Sequence, residues 1–473
     1  MTNVRTRFSP SPTGKLHIGG LRTALYNFLY ARQQQGEFLL RIEDTDRTRL
    51  VPGAVDNIIQ NLRWAGLTFD QEPVTQSERL PLYRRYAEQL LASGHAYRCT
   101  CTAERLESLR RDQEAKKLPM RYDGRCRALT GTPPAAAVPS VIRFAMPQLG
   151  TIACDDLIRG RILFNAATLD DQILVKTDGF PTYHLASVVD DHEMKITHVI
   201  RGEEWLPSMP KHILLYQALG WTPPTFAHLP LLLNPDRSKL SKRTGDVAVD
   251  EYREAGYLPE ALLNFVALLG WNPGTEQEVF SLQDLIEKFS FERVNKSGAV
   301  FNRDKLDWIN GWYLRHLPTD QLVALAHPVL QAAGLLKPST PQDFVQRVVA
   351  LEQSRLKRLG ELPPLVQYFF DEPALDPAML PWRSQTAADC KTTLLAIASL
   401  LEGLPNDRFT ANELQIEVKK MMEERKWGNG ETLWPLRVAL SGRRASPGPF
   451  EILPVLGKTT AVARLKRAAQ SLS

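Results

Sequence analysis

The sequence has few cysteines, no long apolar run and only a small excess of charge. Five cysteines in 473 residues, an odd number, favour a reducing compartment over a disulfide framework. The longest apolar stretch, around Ala261 to Trp271, is too short to span a bilayer. The N-terminal Met-Thr-Asn-Val-Arg lacks the apolar segment of a signal peptide. We therefore expect a cytoplasmic protein with no membrane partner.

The remaining composition is that of a globular protein with several domains. Hydrophobic residues make up 43% and charged residues 23% of the chain, which is ample for buried cores. The length suggests on the order of three domains at about 150 residues each. A net charge of +5 permits a nucleic-acid partner without requiring one. Because no coiled-coil heptads are present, we expect a monomer.

Residues 7–20 combine a strand ending, a turn with glycines and a helix start. A short predicted strand ends before Pro10 and Pro12, since proline cannot donate to a ladder. An amphipathic helix pattern then begins at His17, which places His17 and Gly19 at a helix N-terminus. The unpaired N–H groups and positive dipole at such a terminus suit a phosphate. The alternative is an ordinary strand-to-helix corner whose glycines serve packing.

Charged residues follow two later predicted strands. Glu37–Ile42 leads into the acidic segment 43–46, at the end of a strand where α/β proteins bind ligands. A polar turn that caps the next helix is the alternative. Much later, a basic loop contains Lys239, Lys242 and Arg243, and three cations in five residues can clamp a triphosphate. A solvated basic turn is the alternative there.

Three cysteines interrupt this α/β pattern. Cys99, Cys101 and Cys126 have a spacing that suits zinc, but a structural zinc site needs four ligands. Tyr122 is the nearest candidate for the fourth. Both a zinc site and a set of thiols without metal remain open. Short alternating segments between 141 and 173 then predict a β-rich insertion.

The order of these motifs resembles a known family. His17-Ile-Gly-Gly on the first turn, an insertion, and then Lys239-Leu-Ser-Lys-Arg243 resemble the two signatures of class I aminoacyl-tRNA synthetases. Further motifs look like bacterial-type glutamyl-tRNA synthetases over essentially the whole chain. They are Arg7-Phe-Ser-Pro-Ser-Pro-Thr-Gly, Leu40-Arg-Ile-Glu-Asp-Thr-Asp-Arg, Tyr183-His-Leu-Ala-Ser-Val-Val-Asp-Asp-His, Val199-Ile-Arg-Gly-Glu-Glu-Trp, Phe291-Glu-Arg-Val-Asn-Lys-Ser-Gly, Lys305-Leu-Asp-Trp-Ile-Asn-Gly-Trp and Arg437-Val-Ala-Leu-Ser-Gly.

The resemblance implies an ATP- and Mg²⁺-dependent enzyme that activates L-glutamate and transfers it to the 3′ end of tRNA(Glu). Arg7, Arg201 and Tyr183 are expected to bind the side-chain carboxylate, and Glu43 with Ser11 the ammonium group. Two guanidiniums bind a carboxylate by charge-assisted bonds but stay unbalanced against the neutral amide of glutamine. Such a site rejects the wrong ligand by orders of magnitude.

The resemblance also assigns the ATP site and the catalytic loop. The expected ATP-binding residues are His17, Gly19, Glu204, Trp205 and Lys242. The expected catalytic residues are His17, Lys239, Ser241, Lys242 and Arg243.

Two positions depart from the family pattern. Gly20 replaces the second histidine of the first signature, which weakens any role for that side chain. Arg127 follows Cys126 where zinc-binding relatives have histidine, so the metal depends on Tyr122 as the fourth ligand.

The fold class implied is α/β: a Rossmann-type doubly wound catalytic domain with an α+β insertion, then an all-helical anticodon-binding region. The expected segments are the catalytic halves 1–96 and 183–244, the connective insertion 97–182, a stem-contact domain 245–318, and two anticodon-binding domains 319–378 and 379–473. The helices predicted beyond residue 245 are 258–270, 282–289, 305–315, 319–333, 342–359, 384–402, 409–426, 431–441 and 459–472. Arg355, Arg358 and Arg437 are the candidate tRNA contacts.

Three alternative functions are also compatible with this resemblance. A non-discriminating enzyme also charges tRNA(Gln) with glutamate. An enzyme that glutamylates modified queuosine in tRNA shares Arg7 and Glu43 but lacks the helical C-terminal third, so the chain length disfavours it. A non-catalytic tRNA-binding paralogue is disfavoured by the intact His17, Arg201 and Lys242.

Overall fold

The computed structural model describes residues 3–128, 138–240 and 248–472. The chain divides into two compact units, one formed by residues 1–253 and 259–309 and the other by residues 254–258 and 310–473. Among the described residues, no helix combines the length and apolar character needed to cross a membrane.

The described segments contain both strands and helices. The strands are β1 Arg5–Phe8, β2 Glu37–Ile42, β3 Val74–Thr75, β4 Ala96–Cys99, β5 Val141–Phe144, β6 Thr151–Asp156, β7 Gly160–Asn165, β8 Ile173–Val175, β9 His198–Gly202, β10 Thr225–Leu229, β11 Leu232–Leu233 and β12 Ala299–Val300. The helices of the first unit are α1 Ile18–Gln33, α2 Ala54–Trp64, α3 Leu80–Ala92, α4 Ala103–Ala115, α5 Arg125–Ala128, α6 Tyr183–Glu193, α7 Met209–Ala218, α8 Val249–Glu254, α9 Pro259–Ala267 and α10 Leu282–Lys288. They are followed by α11 Arg303–His316, α12 Thr319–Ala332, α13 Gln342–Glu352, α14 Leu362–Phe370, α15 Ala387–Gly403, α16 Ala411–Arg425, α17 Asn429–Ser441, α18 Pro449–Leu456 and α19 Lys458–Gln470.

A parallel sheet organises the first unit. Strands β1, β2 and β3 pair in parallel in that order, and β10 pairs in parallel with both β9 and β6. The two groups adjoin where the N–H of Thr197, just before β9, donates to the carbonyl of Arg5 in β1 at 2.9 Å. The carboxyl ends of β1, β2 and β9 therefore lie on one edge of the sheet, the position where doubly wound folds bind ligands.

Helix α1 covers this sheet with an almost wholly apolar face. Leu21, Leu25, Phe28 and Leu29 are buried, as their helical spacing predicts. The buried Tyr26 donates its hydroxyl hydrogen to the carbonyl of Ala267 at 2.9 Å, which satisfies the one polar atom of its ring. The helix is thus held against the sheet along its length, and its N-terminus is fixed at the ligand edge.

The predicted insertion does not form one separate sheet. Strands β4, β5 and β8 pair antiparallel, as a β-rich insertion would. The hairpin β6–β7, however, extends the sheet of β9 and β10, where Phe226 of β10 is in register with Asp156 of β6. The hairpin therefore contributes Asp156 to the sheet that carries the ligand edge.

The second unit is helical in the part of the chain that the structure describes. A buried arginine, Arg464 of α19, donates to the carbonyls of Leu440, Tyr368 and Asp371 at 2.6, 2.6 and 3.1 Å. It thereby satisfies carbonyls at the ends of α17 and α14 that have no partner within their own helices.

The expected fold class, an α/β catalytic unit followed by a helical region, is confirmed. Two helices of the second unit, α14 and α18, are absent from the predicted set. Both begin with proline at their first or second position, where its missing N–H costs nothing. The predicted helix 342–359 ends instead at Glu352 and continues as a 3-10 turn.

Candidate active site

A cavity of about 500 Å³ opens at the carboxyl ends of β1, β2 and β9. Every predicted glutamate-binding, ATP-binding or catalytic residue that the structure describes contributes to its lining. These residues are Arg7, Ser11, His17, Gly19, Glu43, Tyr183, Arg201, Glu204, Trp205 and Lys239. The tertiary structure therefore brings together residues that are up to 232 positions apart in the chain, from Arg7 to Lys239.

The turn between β1 and α1 presents a helix N-terminus to the cavity. His17 is the N-cap residue, and its Nδ1 accepts the N–H of Gly20 at 3.0 Å. Because Nδ1 accepts that bond, the neutral imidazole carries its proton on Nε2. A Cβ at Gly19 would lie 3.1 Å from His17 Nδ1, so glycine at this position lets the imidazole keep its place against the first turn. The first turn thus offers backbone N–H groups to an anion.

Arg7 lies in a buried network of alternating charges. Its Nε donates to Oδ1 of Asp191 at 2.9 Å, and the same oxygen accepts Nη1 of Arg41 at 2.6 Å. Arg41 also donates through Nη2 to Oε1 of Glu43 at 2.9 Å. Two guanidiniums therefore face two carboxylates, which is the condition for burying such charges at acceptable cost.

Opposing influences act on the carboxylates of this network. Burial raises the pKa of Glu43 despite the nearby Arg41. Burial acts to raise the pKa of Asp191 as well, but Arg41 and Arg7 outweigh it and hold that pKa below its usual value. Arg41 contacts only Oε1 of Glu43, and no described residue donates a hydrogen bond to Oε2. That oxygen is available to a ligand cation.

Arg201 has a different environment. Its Nε donates to Nε2 of His228 at 3.1 Å, and its Nη1 donates to the hydroxyl oxygen of Tyr183 at 2.8 Å. Its Nη2 donates to the carbonyl of Trp205 at 3.3 Å. Within the described chain no carboxylate lies within 4.0 Å of its guanidinium, although the residue is only 5% exposed. A buried cation with neutral partners favours an anionic ligand.

Histidines surround Arg201. Burial lowers the pKa of His228 and of His212, and the charge of Arg201 lowers both further. Burial, with Lys211 and Arg201, lowers the pKa of His184 to about 3. These imidazoles are therefore neutral at physiological pH and add no positive charge that would compete with Arg201 for an anion.

Aromatic and acidic residues complete the wall beside Arg201. The rings of Tyr183 and Trp205 lie 4.2 Å apart between centroids, and Trp205 is 38% exposed. Glu204 folds back over Gly202, where a Cβ would overlap its carboxylate. Gly202 is thus required for the observed position of Glu204 next to the cavity.

Only the start of the predicted basic loop is described. Leu233 and Lys239 form an antiparallel bridge, and the N–H of Leu240 donates to the carbonyl of Leu232 at 2.9 Å. This turn directs the exposed Lys239 to the cavity. Ser241, Lys242 and Arg243 lie outside the described residues.

The three cysteines and Tyr122 converge on one point. The Sγ atoms of Cys99, Cys101 and Cys126 lie within 4.8 Å of one another. The hydroxyl oxygen of Tyr122 lies 3.5 Å from both Cys99 Sγ and Cys101 Sγ, and it accepts the N–H of Cys126 at 2.8 Å. Three soft thiols and one phenol oxygen on a single centre fit the donor number of a structural zinc site.

The three predicted tRNA contacts lie in the second unit. Arg355 donates through Nη1 to the buried Glu352 at 2.9 Å, and Arg358 donates through Nη2 to Glu361 at 2.6 Å. Arg437 of α17 is half-buried. Arg355 and Arg358 are therefore neutralised in part by neighbouring carboxylates.

Sequence reasoning missed residues that hold the predicted ones in place. These are Arg41, Asp191, Asp156, His228 and His212. Arg41 lies two residues before Glu43, and Asp191 lies in the Val-Val-Asp-Asp-His motif. Because both belong to motifs that the sequence analysis used, the sequence could have indicated that they are part of the site. Asp156 and His228 carry no such signal, because only the pairing of β6, β10 and β9 brings them to Arg201.

Fold and cavity together define the class of protein: an α/β protein with a ligand-sized cavity at the carboxyl ends of its parallel strands. The model of the class I tRNA synthetase catalytic domain for glutamate (E) and glutamine (Q) matches residues 3–308, and an anticodon-binding domain model matches residues 321–469. The chain therefore belongs to the glutamate and glutamine family of class I tRNA synthetases.

Full-length relatives narrow this assignment. The chain is 47% identical to glutamate–tRNA ligase of Chlorobaculum parvum, covering 99% of this chain and 98% of the relative. It is 46% identical to glutamate–tRNA ligase of Dehalococcoides mccartyi, covering 100% and 99%. The crystal structure of a glutamate–tRNA ligase from Elizabethkingia meningosepticum, in complex with its amino acid, matches with a TM-score of 0.90 at 36% identity over both whole chains. The expected resemblance is thereby confirmed.

Proposed function

We propose that this protein is a glutamate–tRNA ligase that activates L-glutamate with ATP and transfers it to the 3′ end of tRNA(Glu). The observation that carries the proposal is Arg201, a buried guanidinium whose described partners are all neutral. Burying a charge without an opposite charge is costly, so the site is completed by an anionic ligand. The side-chain carboxylate of glutamate supplies that charge, and the neutral amide of glutamine does not.

The rest of the cavity accommodates the other two charged groups of glutamate. Glu43, with Oε2 facing no described donor, binds the ammonium group together with Ser11. Arg7 and Tyr183 bind the side chain alongside Arg201, and Asp191 holds Arg7 in position. The α-carboxylate is then directed toward the N-terminus of α1.

ATP occupies the part of the cavity near His17 and Gly19, with Glu204 near the ribose and Trp205 against the pocket. Magnesium shares the triphosphate charge when it enters with ATP. The glutamate α-carboxylate attacks the α-phosphorus, the bond to the bridging oxygen breaks, and pyrophosphate leaves. No protein nucleophile is required, since the protein acts by positioning and charge stabilisation. Lys239 stabilises charge there, and the family resemblance assigns the same role to Ser241, Lys242 and Arg243, which lie outside the described residues.

The second step transfers glutamate to tRNA. A terminal ribose hydroxyl attacks the adenylate carbonyl and AMP leaves. The insertion 97–182 binds the acceptor end, residues 245–318 contact the stem, and residues 319–378 and 379–473 bind the anticodon. Arg355, Arg358 and Arg437 contribute the basic contacts, whose strength falls with salt.

Charging of two purified transcripts tests this function. We expect glutamate to be attached to tRNA(Glu), with glutamate-dependent exchange of pyrophosphate into ATP only when tRNA is present. Charging of tRNA(Gln) as well identifies a non-discriminating enzyme. The absence of both charging and exchange contradicts the proposal and leaves a tRNA-binding protein without catalysis.

Zinc at Cys99, Cys101, Tyr122 and Cys126 is a separate part of the proposal, with a structural role in the insertion. We expect one zinc per chain by elemental analysis of the purified protein, and loss of that zinc in Cys126→Ser. Cys154→Ser, a substitution of a buried cysteine outside the cluster, is the matched control and keeps the metal. A wild-type protein without zinc after purification in zinc-supplemented buffer contradicts the assignment.

A monomer in the cytoplasm is the remaining proposal. Light scattering coupled to size-exclusion chromatography is expected to give a mass near 53.3 kDa, and twice that value contradicts a monomer.

A further inference from the structure

Arg201 is held by a line of residues on three neighbouring strands. Arg201 on β9 donates through Nε to Nε2 of His228 on β10, its register partner, at 3.1 Å. Nδ1 of His228 lies 2.7 Å from Oδ2 of Asp156 at the end of β6. The three residues are 5%, 0% and 5% exposed, so water does not compete for these bonds.

The proton positions along this line follow from the bonding partners. A guanidinium Nε always donates, so Nε2 of His228 must be the acceptor and Nδ1 must carry the hydrogen. Nδ1–H therefore donates to Oδ2 of Asp156. The other oxygen of Asp156 accepts the N–H groups of Ile158 and Arg159 at 3.0 and 2.8 Å. Asp156 is thus fixed on one side by backbone and selects one tautomer of His228 on the other.

We propose that Asp156 and His228 are positioning residues for Arg201, and that they set the preference of the site for a carboxylate over an amide. His228 orients the guanidinium through a neutral acceptor, so Arg201 keeps its full charge for the ligand. This inference rests on the proposed glutamate-binding role of Arg201. It assigns a function to two residues that lie outside the cavity lining.

The neutral imidazole also separates Asp156 from Arg201. A carboxylate in direct contact would neutralise the guanidinium, as Asp191 does for Arg7. With His228 between them, the carboxylate acts only by selecting the tautomer. The arrangement therefore gives orientation without loss of binding charge.

Asp156→Asn is the most direct test, because it changes one oxygen for a nitrogen at constant shape. If the remaining oxygen keeps the two backbone N–H groups, the new amide nitrogen faces His228 and donates to Nδ1. The imidazole proton then moves to Nε2, opposite the Nε–H of Arg201, and the bond to Arg201 is lost. We expect the KM for glutamate in tRNA charging to rise about 10- to 100-fold, with the KM for ATP unchanged.

Two substitutions of His228 separate positioning from packing. His228→Gln keeps an acceptor for Arg201 and a donor for Asp156, so we expect a rise in glutamate KM of less than about fivefold. His228→Leu removes both and is expected to match Asp156→Asn. His198→Gln is the matched control, because His198 lies on the neighbouring strand β9, bonds to Tyr30 and does not line the cavity. It is expected to leave both KM values unchanged.

Selectivity provides a second kinetic measure. The ratio of kcat/KM for glutamate to that for glutamine is expected to fall in Asp156→Asn and His228→Leu and to recover in His228→Gln. A general loss of stability would lower kcat for both amino acids and leave this ratio unchanged. Unchanged glutamate KM and unchanged ratio in Asp156→Asn, with active wild type, overturn the inference.

The tautomer itself is measurable without any activity. In ¹⁵N-histidine-labelled protein, the His228 signals are identified by their loss in His228→Gln. We expect Nδ1 to be protonated and Nε2 unprotonated in the wild type, with the reverse in Asp156→Asn. A protonated Nε2 in the wild type overturns the inference even if a variant fails to fold. Wild-type protein that fails to charge any tRNA contradicts the proposed function instead, and the NMR result still decides the positioning pair.

Discussion

Arg7 and Arg201 line the same cavity with similar burial, yet their partners differ in charge. Arg7 faces Asp191, which also binds Arg41, and Arg41 in turn binds Glu43. Arg201 faces a hydroxyl, a carbonyl and two imidazoles. The charge of Arg7 is therefore balanced within the described chain and the charge of Arg201 is not.

This difference in charge balance gives the two arginines different roles, which cannot be told apart from the sequence. A guanidinium whose charge is already balanced contributes directional hydrogen bonds and a rigid wall. A guanidinium without a counter-charge contributes net attraction for an anion, and its site is most stable when occupied. Selectivity for the acid over the amide should consequently depend more on Arg201 than on Arg7.

The largest effect is expected on the free energy of unfolding, when the charge-balanced network around Arg7 is broken. Asp191→Asn leaves Arg7 and Arg41 without their shared carboxylate, and removing one partner of a buried ion pair costs about 3–5 kcal/mol. Denaturant unfolding should show a loss of that size. Asp46→Asn is the control, since its carboxylate is 55% exposed and its loss should cost less than about 1 kcal/mol. Equal losses in the two variants would mean that the buried network is not held by Asp191.

The next largest effect is expected on activity, when Arg201, which has no counter-charge among the described residues, loses its charge. Arg201→Gln removes the positive charge that the proposal assigns to glutamate binding. The resulting fall in kcat/KM for glutamate should correspond to a loss of about 2–5 kcal/mol in transition-state stabilisation. The KM for ATP should not change. Arg98→Gln, which breaks the partly exposed pair with Glu88, is the control and should retain activity. Retained kcat/KM in Arg201→Gln would contradict the assignment of the glutamate site.

Mild acid should destabilise the folded protein through His184, one of the neutral histidines near Arg201. The pKa of His184 is lowered from 6.5 to about 3, chiefly by burial, so below about pH 6.5 the unfolded chain binds a proton that the folded chain does not. The free energy of unfolding should therefore fall as the pH is lowered from 7.5 to about 5.5, by at most about 1.4 kcal/mol per pH unit for one such group.

The comparison of wild type with His184→Gln isolates this contribution. The variant should have a shallower dependence over that range and the same dependence above about pH 7.5, where both states are neutral. Parallel curves over the whole range would show that His184 is protonated in the folded protein.

The smallest effect on activity is expected from the loss of a single hydrogen bond from Arg201 to a neutral acceptor. Tyr183→Phe removes the nearer acceptor of Arg201 Nη1 but keeps the ring beside Trp205. Because the donor is charged and Nη1 keeps a longer contact with His212, the loss is expected to be about 1.5 kcal/mol, or about tenfold in kcat/KM for glutamate. Tyr86→Phe, whose hydroxyl bonds to Glu193 away from the cavity, is the control. A loss as large as that of Arg201→Gln would mean that Tyr183 does more than orient the guanidinium.

The local sequence was sufficient to predict secondary structure where backbone preferences and helical spacing determine it. The strand, turn and helix at residues 5–33 follow from prolines, glycines and helical spacing, and the structure contains them. The helical character of the C-terminal region was predicted for the same reason. The predicted set lacks α14 and α18, which both carry proline in their first turn, where a missing N–H is tolerated.

The sequence by itself determined the fold class through local periodicity, and it indicated the family and part of the cavity lining through the order of its motifs. Only the tertiary structure decided which arginine is balanced and which is not. That outcome depends on Asp156 and His228 reaching Arg201 through the pairing of β6, β10 and β9, and on Asp191 reaching both Arg7 and Arg41. Charge balance depends on the distances between charged groups. Asp156 and His228 are 72 positions apart in the chain, and they come within hydrogen-bond distance only when the sheet forms.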